Sequence, residues 1–165
     1  MNIKILSRTK ILDICGANPN KFDTITIVES VLNLYDSNRI EQIQWLSKSN
    51  LTLTFDDVTS ALKYGTIEYM LAKKEDVVAA IEFARDKDEL LVACAAGVSR
   101  SSAIAYIMLR TKHSVEDSIA QLNFNKHWPN NHILKLGEDI IGLPLRMEIG
   151  EYFNDYKNTY SVCEA

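Results

Sequence analysis

Proline and glycine are scarce in this chain, with three and six copies among 165 residues. That scarcity excludes a collagen-like or low-complexity polymer, and a composition of 47% hydrophobic and 24% charged residues excludes a disordered chain. Cysteine is also sparse. Cys15, Cys94 and Cys163 are odd in number and far apart, which argues against a disulfide framework and for a reducing compartment. Long apolar runs are missing: Leu90 to Ala96 and Ala103 to Leu109 fall well short of the roughly 18 residues that cross a bilayer. The opening Met1 to Ser7 lacks the apolar region and cleavage site of a secretory leader, so a cytoplasmic location is expected. Positive charge is not in excess either, since 18 Lys plus Arg stand against 22 Asp plus Glu, a net charge of -4. Neither nucleic acid nor an anionic membrane is an expected partner, and any anion site has to be local.

What is present reads as one domain over residues 1–165, a length within the usual domain range. Ile3 to Leu6 and Thr24 to Val28 are β-branched-rich and bounded by turn formers, which predicts strands, with a short helix over Thr9 to Ile14 between them. Ile40, Ile43 and Leu46 recur at helical spacing over Arg39 to Leu46, and Leu51 to Phe55 alternates like a strand. The stretch from Asp56 to Met70 has no firm period and reads as a loop with helical turns. Glu75 to Arg85 predicts a helix with Val77, Val78, Ile81 and Ala84 on one face and acids in its first turn. Leu90 to Ala93 predicts a short buried strand.

The second half reads as helical. Ser101 to Arg110 is apolar on nearly every side, as a central buried helix is. Ser114 begins a helix through Leu122. Asn130 or Asn131 caps another, which Gly142 and Pro144 stop, and Glu148 to Tyr156 forms a last one. The expected fold class is α/β, a central, mainly parallel sheet of about four to five strands flanked by helices, with a helical C-terminal half. Trp45 and Trp128 are expected in the core or in helix packing. His113, His127 and His132 are expected at the surface or as caps, without chemistry.

The informative segment runs from Leu90 through Cys94-Ala95-Ala96-Gly97-Val98-Ser99-Arg100 to Ser101-Ser102. It predicts a strand, a tight loop and a helix N-terminus, an arrangement that aims N–H groups and a positive dipole end at an anion. Gly97 allows a tight backbone path, and Arg100 supplies a planar pair of donors to phosphate oxygens. The same field stabilises a thiolate at Cys94 and makes it a nucleophile. Cys15 and Cys163 lack this context.

Cys94-x5-Arg100, with Gly97 between and Ser101 after, resembles the signature loop of the cysteine-dependent protein tyrosine and dual-specificity phosphatases. Pro129-Asn130 resembles the start of a later helix in the same family. The resemblance covers roughly Leu51 to Gly142 and implies a compact phosphatase-like α/β domain that hydrolyses phosphomonoesters. The implied substrate is a phosphorylated protein, carrying phosphotyrosine or read with dual specificity, or a small phosphomonoester. No metal or organic cofactor is implied. The amides of Ala95, Ala96, Gly97, Val98, Ser99 and Arg100 would bind phosphate, and Ser101 would steady the departing thiolate.

A general acid is needed opposite the nucleophile. Asp57, 37 residues before Cys94, slightly exceeds the family's usual separation; by resemblance to relatives with a Phe-Asp-Asp run it is the choice, with Asp56 in reserve. One position departs from the family: the His that usually precedes the cysteine is Ala93 here, removing hydrogen bonds that hold the loop and tune the thiolate. A phosphate-binding module with little or no turnover therefore stands as the alternative. A sulfur-transfer enzyme fits less well, because Arg100-Ser101 and Pro129-Asn130 match the phosphatases. The sequence leaves the physiological substrate and the oligomeric state open.

Overall fold

The computed structural model describes residues 1–31 and 34–160, with the side chains of residues 34, 67 and 154–160 left out. Four strands, β1 (Asn2–Ser7), β2 (Asp23–Val28), β3 (Ser49–Thr54) and, later in the chain, Glu89–Cys94, form one parallel sheet. Between them lie helices α1 (Arg8–Ala17), α2 (Leu34–Leu46) and α3 (Lys74–Phe83), and a two-stranded antiparallel hairpin, β4 (Lys63–Tyr64) with β5 (Ile67–Glu68). Glu89–Cys94 is thus β6, and the order across the sheet is β1-β6-β2-β3. The helical half follows as α4 (Arg100–Arg110), α5 (Val115–Ile119), α6 (Asn131–Ile141) and α7 (Leu145–Tyr160).

The sequence of β6 explains its central place. Leu90 through Cys94 are all buried, so this strand has no polar face to give to water and has to be covered on both sides. Side chains alternate across the sheet. Leu90, Val92 and Cys94 enter the larger core with α3, α4 and α6, whereas Leu91 and Ala93 join Ile11, Cys15 and Ile43 beneath α1 and α2. Ala93 is fully buried there. The family's histidine position is therefore an apolar one in this chain, and an imidazole would need a partner that this cluster does not supply.

The expected α/β architecture and the helical C-terminal half are present, and α4 is the buried central helix, with every residue from Arg100 to Leu109 covered. Asn130, not Asn131, caps α6, accepting from the amides of His132 and Ile133. Gly142 ends it with a φ of 70°. Boundaries shift by a few residues, most at α2, which starts five residues earlier than its apolar spacing suggests.

Three local expectations fail. The stretch after Asp56 holds the β4–β5 hairpin in place of helical turns; Gly65, with φ of 61°, makes the tight reversal. Val78 is 37% exposed, because α3 turns Val77, Ala80 and Ala84 inward. Trp45 is 82% exposed, since it lies two positions after buried Ile43 and about 200° around the helix from it. Among the described residues no helix is long and apolar enough to cross a membrane.

Candidate active site

Parallel strands open a crevice at their carboxyl ends, and β6 ends there on Cys94. The Ala95 to Ser99 loop then turns directly into α4. Gly97 adopts a φ of 69°, and a Cβ on it would overlap the Leu6 carbonyl and lie 2.6 Å from the Ser7 nitrogen. Only glycine fits both constraints.

Neighbouring groups hold the loop's carbonyls from outside. The Arg8 amide donates to Ala95 O at 3.3 Å, the Trp128 amide to Val98 O at 3.1 Å and the Asn130 amide to Ser99 O at 3.3 Å. Ser102 Oγ donates to Val98 O and Ser99 O at 2.5 and 2.9 Å. With the carbonyls of Ala95, Val98 and Ser99 engaged from outside, the Val98 amide is left to face the Cys94 sulfur together with that of Ser101.

Cys94 is 2% exposed, and its Sγ lies 3.2 Å from Ser101 Oγ. Burial pushes its thiol pKa up, but the Ser101 hydroxyl, the amides of Ser101 and Val98 and the Arg100 charge more than offset this, so the thiol lies below its ordinary value. Cys15 shows the contrast: burial dominates and pushes its thiol up. Cys163 lies outside the described residues.

Arg100 is 3% exposed. Its Nη1 donates to the Phe55 carbonyl at 2.9 Å and its Nη2 to Glu29 Oε1 at 2.5 Å, while its buried Nε has no protein partner among the described residues. Two of its five N–H donors thus fix the guanidinium beside the loop. Burial pushes the Glu29 carboxyl up, and the hydrogen bonds and charges of Arg100 and Arg8 overcome it, leaving Glu29 below the usual carboxylate range.

The two aspartates occupy different surroundings. Asp56 is 7% exposed and accepts from the Ser30 amide at 3.1 Å, the Ser30 hydroxyl at 2.5 Å and the Met70 amide at 2.7 Å. Its carboxylate clasps three segments together. Burial raises its pKa, but these bonds and Arg100 bring it below normal. Asp57 is exposed and faces the Ala95 to Ser99 loop; its Oδ1 accepts from Ser99 Oγ at 2.8 Å and Asn130 Nδ2 at 2.9 Å. A cleft of about 440 Å³ opens beside it, lined by Thr59, Ser60, Leu62, Ser99 and Asn130. A larger depression of about 840 Å³ at the α6–α7 turn shares Asn131 with that cleft and has no candidate nucleophile in its lining.

Sequence reasoning missed Glu29, Arg8, Ser102 and the second task of Asn130. An acidic residue immediately after β2 was the available signal for Glu29, since the carboxyl ends of parallel strands build the crevice. The histidines need one correction. His127 is buried, and its Nδ1 accepts from the Asn123 amide at 2.9 Å, shaping the loop that carries Trp128. Trp128 is 55% exposed and stacks on Phe153, so it packs against α7 without entering the core. Among the described residues no group of three or more His, Cys, Asp or Glu side chains could hold a metal ion.

No family model and no curated protein matches this chain. Solved structures do. Cydia pomonella PTP-2 phosphatase superposes with a TM-score of 0.58 at 13% identity, over 84% of this chain and 85% of that one. PTPMT1 in complex with PI(5)P gives 0.55 at 15% identity, over 92% and 94%. Tk-PTP in the active form gives 0.54 at 11% identity, over 84% and 90%. With the parallel sheet, the buried helix after the loop and near-complete coverage in both directions, the chain has the fold of the protein tyrosine and dual-specificity phosphatases.

Proposed function

We propose that this protein is a phosphomonoester hydrolase that works through a phosphocysteine intermediate. One observation carries the reading: a thiol held below its ordinary pKa sits in a loop that also holds Arg100, whose buried Nε has no partner among the described residues, and the Asp57 carboxylate faces that loop. Cys94 Sγ attacks phosphorus in line with the leaving oxygen, and the S–P bond forms as the P–O bond breaks. Arg100 and the amides of Ala95 to Arg100 stabilise the equatorial oxygens. Asp57 donates a proton to the leaving oxygen. Both hydrogen bonds to Asp57 fall on Oδ1, which leaves Oδ2 as the oxygen for this transfer. Water then attacks phosphorus, Asp57 takes its proton, and inorganic phosphate leaves as the Ser101 hydroxyl receives the thiolate.

A phosphorylated protein, carrying phosphotyrosine or read with dual specificity, is the proposed substrate, in a cytoplasmic setting. A small phosphomonoester remains within the reading, as one similar structure holds PI(5)P. A binding module with little turnover is the second reading; Ala93 favours it, because its methyl joins an apolar cluster and supplies none of the hydrogen bonds of the family's histidine. Hydrolysis of an aryl phosphate separates the two. The first reading expects turnover in the native protein and a loss of roughly 10³-fold or more in Cys94→Ser. Tight phosphate binding without turnover in the native protein establishes the second, and full activity in Cys94→Ser overturns the mechanism.

A further inference from the structure

Arg8 is the first residue of α1, where a cation opposes the positive end of the helix dipole. It is also 5% exposed, a costly place for a guanidinium. No acid in the first turn of α1 compensates it. Compensation comes from other segments: Arg8 Nη2 meets Glu29 Oε2 at 2.5 Å and Nη1 meets Asp36 Oδ1 at 3.0 Å. The second oxygen of Glu29 holds Arg100, also at 2.5 Å. One carboxylate is thus shared between two buried guanidinium groups, an oxygen to each. Beyond its side chain, Arg8 donates its amide to Ala95 O in the loop.

We propose that Arg8 is a positioning residue for the anion site: its side chain orients Glu29, which aims Arg100. This rests on the anion-binding loop proposed above. The arrangement also solves an electrostatic problem. A lone carboxylate beside the loop would aim Arg100 but repel an incoming phosphate. Arg8 offsets that charge, so that the directly paired groups are two guanidinium groups and the carboxylates of Glu29 and Asp36, with Asp56 acting on Arg100 from further off. A buried, dipole-opposed arginine is costly in stability, a pattern expected where function requires it.

Tungstate, an inert oxyanion, tests this by calorimetric titration of the full chain, with melting temperature measured in parallel. Arg8→Gln is expected to weaken tungstate binding about tenfold. Arg8→Lys, which engages one carboxylate but not two in fork geometry, is expected to lose about threefold. The decisive comparison is a cycle with Glu29→Gln. If Arg8 acts through Glu29, replacing Arg8 in the Glu29→Gln protein changes affinity less than twofold. Equal fold-losses in both backgrounds mean an independent structural role and overturn the proposal, as does unchanged affinity in Arg8→Gln. Should Arg8→Gln fail to fold, Arg8→Lys carries the same cycle. A native protein that binds no tungstate removes the anion-site reading itself and this proposal with it; native binding with an Arg8-independent affinity removes only this proposal.

Discussion

Asp56 and Asp57 are adjacent and chemically identical, yet their surroundings divide the work. Asp56 satisfies the Ser30 amide and hydroxyl and the Met70 amide in a buried position, whereas Asp57 is exposed and bonded to Ser99 of the phosphate loop. Asp57→Asn is expected to slow hydrolysis of phosphate esters with poor leaving groups by about 10²- to 10⁴-fold. An activated aryl phosphate, whose leaving group needs no proton, should suffer far less. Asp56→Ala leaves two amides and a hydroxyl without their acceptor and is expected to destabilise the fold by about 1–3 kcal/mol. Steady-state kinetics on two substrates and urea unfolding check the pair. If Asp56→Ala shows the leaving-group dependence and Asp57→Asn does not, the roles are reversed.

At the level of elements, the loop after β6 keeps its shape because three others restrain it: the β1–α1 junction, the start of α4 and the segment leading into α6. Asn130 belongs to the last of these. Its Oδ1 caps α6 and its Nδ2 reaches Asp57. Asn130→Asp keeps the cap, since both side chains are good caps, but replaces a donor to Asp57 with a second carboxylate. Melting temperature should stay within a few degrees of native while the hydrolysis rate falls about tenfold or more. Asn130→Ala should additionally lose about 1 kcal/mol of stability with the cap. Equal activities for the Asp variant and the native protein would show that Asn130 serves α6 alone. The hairpin illustrates a different limit. Its two strands contribute two residues each, too few for a period to register in the sequence, and only Gly65 marks the turn.

For the whole molecule, the buried carboxylates set the response to acid. Burial pushes the carboxyls of Glu29, Asp56, Asp23 and Glu148 up, but hydrogen bonds and neighbouring cations leave all four below their ordinary values. In the unfolded chain these groups take up protons near pH 4. As pH falls past that point the unfolded state binds more protons than the native one, so stability present at neutral pH is lost progressively. The urea midpoint should therefore drop steeply between about pH 5 and pH 2. Asp56→Asn, which removes one such group, should show a shallower decline. An acid limb of the same slope in both proteins would mean that Asp56 is not among the groups responsible.

The strand ending on Cys94, its loop and the helix behind it were legible in the sequence because Leu90 to Arg110 is contiguous: strand, glycine turn and buried helix follow from local pattern. Spacing likewise narrowed the cap of α6 to Asn130 or Asn131, and the contacts place it at Asn130. The aim of Arg100 was not legible, since it depends on Glu29, 71 positions away, and on Arg8 beyond it. Nor were the different surroundings of the two aspartates, since Asp56 meets Ser30 and Met70 while Asp57 meets Asn130, 73 positions away. Local sequence determines which donors and nucleophiles exist and how the backbone presents them. Only the packing of the strand ends against one another decides which carboxylate meets which cation, because such pairing depends on distance in space and leaves no period along the chain.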